Sequence, residues 1–123
     1  MVLVDTSVWV DHLRRDNPVL IDLLENMAVA IHPFVIGELA CGNLSNRAVI
    51  LGLLGELPQA PTAGHGEAML MIERRMLMGR GLGFIDIHLL AATALHGTLQ
   101  IWTHDKRLNA CATELGIAYL PMH

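Results

Sequence analysis

Four acidic residues stand out in this sequence because almost no other charge surrounds them. Asp5, Glu38 and Asp86 each stand alone in an uncharged stretch of ten residues or more, and Asp105 directly follows the last of these stretches. An ionised carboxylate in apolar surroundings is costly unless a positive charge compensates it. Because no Lys or Arg lies within five residues of Asp5, Glu38 or Asp86, a metal ion is the simplest compensator. The pattern predicts a divalent-metal site and therefore phosphoryl-transfer chemistry.

The oxygen-only character of these side chains indicates which metal to expect. Carboxylate ligands favour Mg²⁺ or Mn²⁺ over zinc. Such a site would activate a water, orient it toward phosphorus and stabilise the leaving oxygen. We therefore expect all four acids to be both metal ligands and catalytic residues. Three hydroxyl residues lie beside them and are expected to fix their rotamers, unless they only cap local turns: Thr6, Ser7 and Thr103.

Each acid also has a plain structural explanation when it is taken alone. Asp5 and Asp105 could be helix N-caps, and Asp86 could complement the positive end of its helix. Glu38 could be an exposed helix acid. The combination of all four at the ends of apolar segments is what favours a site.

Short apolar segments that alternate with helical ones predict the elements that position these acids. The predicted strands are Val2–Val4, Ala28–His32, Leu99–Trp102 and Ile117–Leu120. The predicted helices are Val8–Arg14, Pro18–Glu25, Phe34–Cys41, a helix capped by Ser45 or Asn46 that runs through Leu54, Glu67–Met78, Asp86–His96 and a helix from Asp105 to Leu115. This alternation predicts an α/β fold with a central parallel sheet flanked by helices on both faces. Because the carboxyl ends of parallel strands meet at one edge, the four acids are expected to converge there.

Length and composition limit the classes of protein that this chain can belong to. The 123 residues predict a single domain over residues 1–123. Hydrophobic residues make up 53% of the chain, which suggests either a well-filled core or a surface covered by a second copy or a partner. The net charge of −4 argues against a general electrostatic nucleic-acid binder, but not against a nucleic-acid substrate. The basic residues expected to contact substrate phosphates are Arg80, Lys106 and Arg107.

Other compositional features point to a reducing compartment and away from membranes and zinc. Cys41 and Cys111 form no CxxC motif and are interpreted as small buried residues. No apolar stretch reaches the roughly 18 residues of a membrane helix, so we expect a cytoplasmic protein without membrane contact. The seven histidines show no paired zinc spacing, and the roles of His88 and His104 stay open.

Four segments, in order, resemble the four motifs of PIN domains, and the resemblance covers the whole chain. The segments are Val4-Asp5-Thr6-Ser7, Gly37-Glu38-Leu39-Ala40-Cys41-Gly42, Asp86-Ile87-His88-Leu89-Leu90-Ala91-Ala92 and Thr103-His104-Asp105-Lys106. The acids are spaced by 33, 48 and 19 positions. Within the family, the short chain is most similar to VapC, the toxin of VapBC toxin–antitoxin modules. The residues before Glu38 depart from the pattern because they lack the Ser or Thr common in relatives.

That resemblance implies a Rossmann-like PIN fold and a Mg²⁺- or Mn²⁺-dependent endoribonuclease. It also implies a homodimer and a cognate VapB antitoxin that covers the active-site groove. Asp5, Glu38, Asp86 and Asp105 match the acidic quartet of the family, and Thr103 matches the hydroxyl before the fourth acid. Two other functions stay open: a housekeeping PIN nuclease in RNA processing, and a non-catalytic receiver-like signalling domain. A receiver, however, would cluster two acids after the first strand, where this chain has Thr6 and Ser7.

Overall fold

A three-stranded parallel sheet forms the centre of the computed structural model, which describes residues 1–121. Strands β1 (Val2–Val4), β2 (Val29–Ala30) and β3 (Gln100–Trp102) are arranged in the order β2-β1-β3. Val2 pairs with Val29 on one side and with Gln100 on the other. The helices are α1 (Thr6–Arg14), α2 (Pro18–Glu25), α3 (Pro33–Ala40), α4 (Arg47–Glu56), α5 (His65–Arg75), α6 (Phe84–Leu95) and α7 (Lys106–Glu114). The predicted α/β class with a parallel sheet is confirmed.

The sheet is short, and all of its residues except Gln100 are buried. All three residues of β1 are buried, as expected for a central strand covered on both faces. Helix α6 packs against β3 and α5, and its middle is buried from Ile87 to Thr93. This burial explains why apolar residues occur on nearly all sides of α6, because a helix covered on most sides needs no polar face.

Local sequence signals explain where several elements begin and end. The Asn17 side chain accepts hydrogen bonds from the N–H groups of Val19 and Leu20, and Pro18 occupies the first position of α2. The predicted bounds of α2 and of β1 are therefore confirmed without change.

Other predicted bounds need correction. The segment Ile117–Leu120 is not a regular strand, because only one isolated bridge joins Ala118 to Ile101 of β3. The predicted helix Glu67–Met78 instead runs from His65 to Arg75, where Met76 adopts a left-handed conformation that ends it. Asn46 does precede α4, but with a left-handed φ of 52° and without a side-chain cap.

In residues 1–121 no helix is long and apolar enough to cross a bilayer.

Candidate active site

The four predicted acids lie at the carboxyl edge of the sheet. Asp5 directly follows β1, and Asp105 follows β3 after two residues. Asp86 is the third residue of α6, a helix that runs back toward the start of β3 and so begins at the same edge. Glu38 reaches this edge from α3, where it is joined to the start of α1 by a hydrogen bond from the Thr6 hydroxyl to its Oε1 (2.8 Å).

Asp5 is the most constrained of the four acids. Its side chain is buried, and its Oδ2 accepts hydrogen bonds from the hydroxyls of Ser7 (2.8 Å) and Thr103 (2.7 Å). Although Asp5 occupies the N-cap position of α1, its carboxylate accepts no hydrogen bond from a backbone N–H of that helix. The capping explanation therefore fails for Asp5, and its burial needs another reason.

The hydroxyl residues link the two strand ends to each other. Thr103 Oγ1 also accepts the backbone N–H of Asp105 (3.0 Å), and Ser7 Oγ accepts the backbone N–H of His104 (3.0 Å). The chain after β1 and the chain after β3 are thus held together by side-chain hydrogen bonds beyond the end of the sheet. All three hydroxyls predicted to support the acids contact a carboxylate: Thr6, Ser7 and Thr103.

Asp86 and Asp105 do act as helix caps. Asp86 Oδ2 accepts the N–H of Gly83 (2.9 Å), and Asp105 Oδ1 accepts the N–H of Leu108 (2.9 Å). These bonds satisfy backbone donors that the first turn of a helix leaves free. For these two acids, capping fixes the side chain at the site, and the structural and functional explanations are compatible.

One oxygen of each carboxylate remains available. The engaged atoms are Asp5 Oδ2, Glu38 Oε1, Asp86 Oδ2 and Asp105 Oδ1. Across residues 1–121, the second oxygen of each acid makes no hydrogen bond to the protein, and none of the four acids forms a salt bridge. The acids are therefore oriented by the protein while keeping a free ligand atom each.

The other three acids influence the carboxyl of Asp86. Burial raises the pKa of the Asp86 carboxyl, and the three other acids raise this pKa further, while the hydrogen bond from Gly83 lowers it. A like charge raises a carboxyl pKa only when it is close, so this effect indicates that the other three acids lie near Asp86. The site holds negative charge for which the described residues supply no basic partner.

The chemistry of these side chains suits a hard divalent cation, although the carboxylates are not close enough together to surround one. Four carboxylates with free oxygens form the donor set that Mg²⁺ and Mn²⁺ prefer. Within the described part of the chain, no three His, Cys, Asp or Glu side chains stand close enough to hold one ion between them. Binding would therefore bring the free oxygens inward, and Mg²⁺ commonly completes its shell with waters or a phosphate.

The three predicted phosphate-contacting residues have different surroundings. The Arg80 guanidinium forms a two-bond ion pair with Glu114 (2.6 and 3.1 Å), which also lowers the pKa of that carboxyl. The Arg107 side chain lies over Gly81, where a Cβ would come within 2.7 Å of its Cδ. Gly81 also has a φ of +79°, so this loop conformation requires glycine. Lys106 is exposed at the start of α7.

Sequence reasoning missed Asp11 and a row of aromatic rings beside the acids. Asp11 Oδ2 lies 2.6 Å from His104 Nδ1, and Asp11 follows Ser7 by four positions, a helical spacing that could have indicated their shared face. The rings, in order, belong to His32, Phe34, His88, Phe84 and His65. They come from three separate segments, and only the Phe84–His88 spacing was visible in the sequence.

Comparisons with known proteins show the family of the chain. The family model for the PIN domain matches residues 2–114. Ribonuclease VapC32 of Mycobacterium tuberculosis, in the strains CDC 1551 / Oshkosh and ATCC 25618 / H37Rv, is 48% identical to this chain over 118 residues. The matched region covers 96% of this chain and 95% of each relative.

Proposed function

The chain belongs to the PIN-domain family and is of the VapC type, and on that basis we propose that it is a metal-dependent endoribonuclease that acts as a toxin. The observation that carries the proposal is Asp5, a buried carboxylate that caps nothing and is held by two hydroxyls. A buried carboxylate that is held by hydrogen bonds but caps no helix is typical of a residue that binds a ligand. The name of the relative, a ribonuclease, supports RNA as the substrate.

In this proposal Asp5, Glu38, Asp86 and Asp105 hold Mg²⁺ or Mn²⁺. The bound metal would supply Lewis acidity toward the phosphate and lower the pKa of a water that hydrolyses the phosphodiester bond. The chain itself contributes orientation: Thr6, Ser7 and Thr103 fix Glu38 and Asp5, and two helix caps fix Asp86 and Asp105. Rigid placement of this kind is how an active site reduces the barrier of a displacement at phosphorus.

Contacts to RNA phosphates are assigned to Lys106, Arg107 and Arg80. Lys106 and Arg107 directly follow Asp105 and are exposed at the start of α7, so they are close to the acidic site. Arg80 would have to exchange its ion pair with Glu114 for a phosphate, which makes it the most costly of the three to recruit.

The proposal extends to assembly. We assign residues 1–123 to a single PIN domain of the cytoplasm that forms a homodimer and binds a VapB-type antitoxin. The name of the relative supports an antitoxin partner. Exposed apolar side chains on neighbouring helices α5 and α6 support an interface, since water-exposed apolar patches commonly mark one: Met69, Leu70 and Leu95.

Induction in a bacterial host tests the function. Wild type, Asp5→Asn and Glu25→Gln would be expressed in parallel, and new RNA 5′ ends would be sequenced. Glu25 ends α2 at the opposite edge of the sheet and is exposed, so its variant removes the same charge away from the site. We expect growth arrest and discrete new ends for wild type and Glu25→Gln, and neither for Asp5→Asn.

Two outcomes would count against parts of the proposal. Soluble wild-type protein that produces no new ends in cells and cleaves no RNA when purified with Mg²⁺ would overturn the nuclease assignment. Metal-dependent cleavage in vitro without growth arrest would instead favour the housekeeping nuclease in RNA processing.

A further inference from the structure

A continuous row of five aromatic rings lies next to the acidic site. Neighbouring ring centroids are 4.9 Å apart from His32 to Phe34, 4.9 Å from Phe34 to His88, 4.7 Å from His88 to Phe84 and 5.4 Å from Phe84 to His65. The rings of each pair are tilted by 60° or more, which is the edge-to-face arrangement that aromatic rings prefer. The row connects the start of α3, the first turns of α6 and the start of α5.

The two phenylalanines of the row are exposed, as is His65 at its end, whereas His32 and His88 are buried. Phe34 is 41% exposed and Phe84 is 42% exposed, whereas His32 and His88 are 0% and 6% exposed. The orphaned nitrogens His32 Nε2 and His88 Nδ1 find no hydrogen-bond partner in residues 1–121. The buried imidazoles therefore serve as packing surfaces for the phenylalanine rings.

This arrangement holds both phenylalanines in place before anything binds. Phe34 donates its backbone N–H to His32 Nδ1 (3.0 Å), and its ring is packed by His32 and by His88. The ring of Phe84 is packed by His65 and by His88. A binding surface that is already ordered loses little conformational entropy when its ligand arrives.

The position of the two rings relative to the acids is set by helical geometry. Phe34 precedes Glu38 by four residues on α3, so the two side chains lie on the same helix face at about 5–6 Å between their Cβ atoms. Phe84 opens α6 two residues before Asp86. A planar group stacked on Phe34 would thus be next to Glu38. Residues two apart on a helix do not face each other, so Phe84 belongs to the same surface through His88, which contacts both phenylalanine rings.

The charge of the molecule makes such a contact useful for an RNA substrate. The chain has a net charge of −4 and places four acids at the site, so phosphate attraction alone gives a weak hold on RNA. Stacking of a base on an aromatic side chain contributes to binding of single strands without needing charge or sequence. Bases within a duplex have no free face to offer.

We propose that Phe34 and Phe84 form a stacking platform that holds an unpaired base next to the scissile phosphate and so directs cleavage to single-stranded RNA. This inference rests on the proposed nuclease function. The two phenylalanines are substrate-binding residues in this assignment, and the buried histidines His32 and His88 position them.

Binding to an unstructured fluorescein-labelled RNA 12-mer, followed by anisotropy, tests the platform. The Asp86→Asn background prevents cleavage during the measurement. In that background, we expect Phe34→Ala and Phe84→Ala to weaken single-strand binding by roughly 5- to 150-fold each, the range that corresponds to loss of one stacked base. Phe34→Tyr, which keeps the ring, is expected to bind like its parent, whereas Phe34→Leu is expected to bind like the alanine variant.

The matched control is Leu53→Ala, which removes an exposed apolar side chain from α4 (56% exposed) and should leave RNA binding unchanged. In cleavage assays with Mg²⁺ and intact acids, the alanine variants should raise KM while kcat changes only a few-fold. The same 12-mer annealed to its complement should bind the Asp86→Asn parent and its two alanine variants with equal affinity.

The outcomes separate the platform from the nuclease itself. If wild type cleaves the 12-mer and both alanine variants cleave it with unchanged KM, the platform is wrong and the nuclease assignment stands. If the variants bind RNA normally but lose a protein partner, the exposed rings belong to a protein interface and the proposal is overturned. If wild type cleaves no RNA at all, the nuclease assignment and the platform are both wrong.

Discussion

Thr103 shows how much a single buried hydroxyl does at this site. It donates to Asp5 Oδ2 and accepts the backbone N–H of Asp105, so one side chain fixes two of the four acids. Its neighbour Ser7 repeats the arrangement from the other strand end, contacting Asp5 and His104. The geometry of the acids thus depends on uncharged residues that carry no chemistry of their own.

Replacing Thr103 with valine should destabilise the fold and impair the site together. Thr103→Val keeps the shape but leaves Asp5 with one donor and the Asp105 N–H without its acceptor. We expect the free energy of unfolding to fall by about 1–3 kcal/mol. Urea unfolding measures this, with Thr113→Val as control because the Thr113 hydroxyl bonds an exposed helix carbonyl. Equal stabilities of the two variants would contradict the network.

His32 gives the fold a dependence on acidic pH. Burial lowers the pKa of His32 to about 4, helped by the nearby His88, from an ordinary value of 6.5. Between pH 4 and pH 6.5, His32 is therefore protonated in the unfolded chain but not in the folded one. Stability from this residue is complete above pH 6.5 and falls by up to roughly 3 kcal/mol as the pH drops toward 4.

The variant His32→Asn should remove that dependence, because Asn can still accept the Phe34 N–H but does not titrate. Denaturant unfolding at several pH values between 4 and 7 is the measurement. We expect the gap in unfolding free energy between wild type and His32→Asn to narrow as the pH falls. Parallel curves would show that His32 is not the titrating group.

At the scale of elements, helices α6 and α7 are each capped by a residue of the acidic quartet. Asp86 caps the first turn of α6, and Asp105 caps that of α7. The same carboxylate therefore stabilises a helix with one oxygen and faces the site with the other. Chemistry and helix initiation share a side chain at both places.

Paired substitutions should separate these two roles. In EDTA, Asp86→Ala and Asp105→Ala lose a cap worth about 1 kcal/mol, whereas Asp86→Asn and Asp105→Asn keep a cap oxygen. We expect each Asn variant to be more stable than its Ala partner by about that amount, while all four lose RNA cleavage. Chemical unfolding and a cleavage assay provide the two readings. Asn variants as unstable as the Ala variants would show that the caps contribute nothing.

The elements also show what could be inferred from the sequence. Isolated acids at the ends of apolar segments were enough to place the quartet at one edge, because a parallel sheet gathers its strand ends there. The last predicted strand was wrong because the backbone of Ile117–Leu120 pairs with β3 only at Ile101. The Arg80–Glu114 ion pair and the row of aromatic rings join segments that are distant in sequence. Local sequence patterns do not predict such contacts.

The whole molecule concentrates uncompensated negative charge at one edge of its sheet. The net charge is −4, and the described residues form only two ion pairs, neither of which includes the quartet. Burial raises the pKa of Asp86, and repulsion from the other three acids raises it further, so an ionised Asp86 is a cost that the folded protein carries in the absence of a cation. A divalent metal at the site would remove this cost.

Mg²⁺ should therefore raise the melting temperature of the protein. A ligand that binds only the folded state stabilises it by about 2.7 kcal/mol when its concentration is 100 times the dissociation constant. Thermal unfolding in rising MgCl₂, with NaCl at matched ionic strength as control, measures the effect. We expect Glu25→Gln to keep the shift and Asp86→Asn to lose most of it. No shift in wild type at tens of millimolar, a range of concentration in which a working site would fill, would contradict the metal site.

The dual use of Asp86 and Asp105 has a genetic consequence. Aspartate and asparagine codons differ by a single base, and at these two positions the change keeps the helix cap while removing the charge. A cell under pressure to silence the protein could reach a folded, inactive form in one mutational step, without passing through a misfolded intermediate that proteases would clear. Selection can thus remove the activity without removing the folded protein. Gene copies that encode a folded, inactive protein should therefore accumulate more readily than copies that encode a misfolded one.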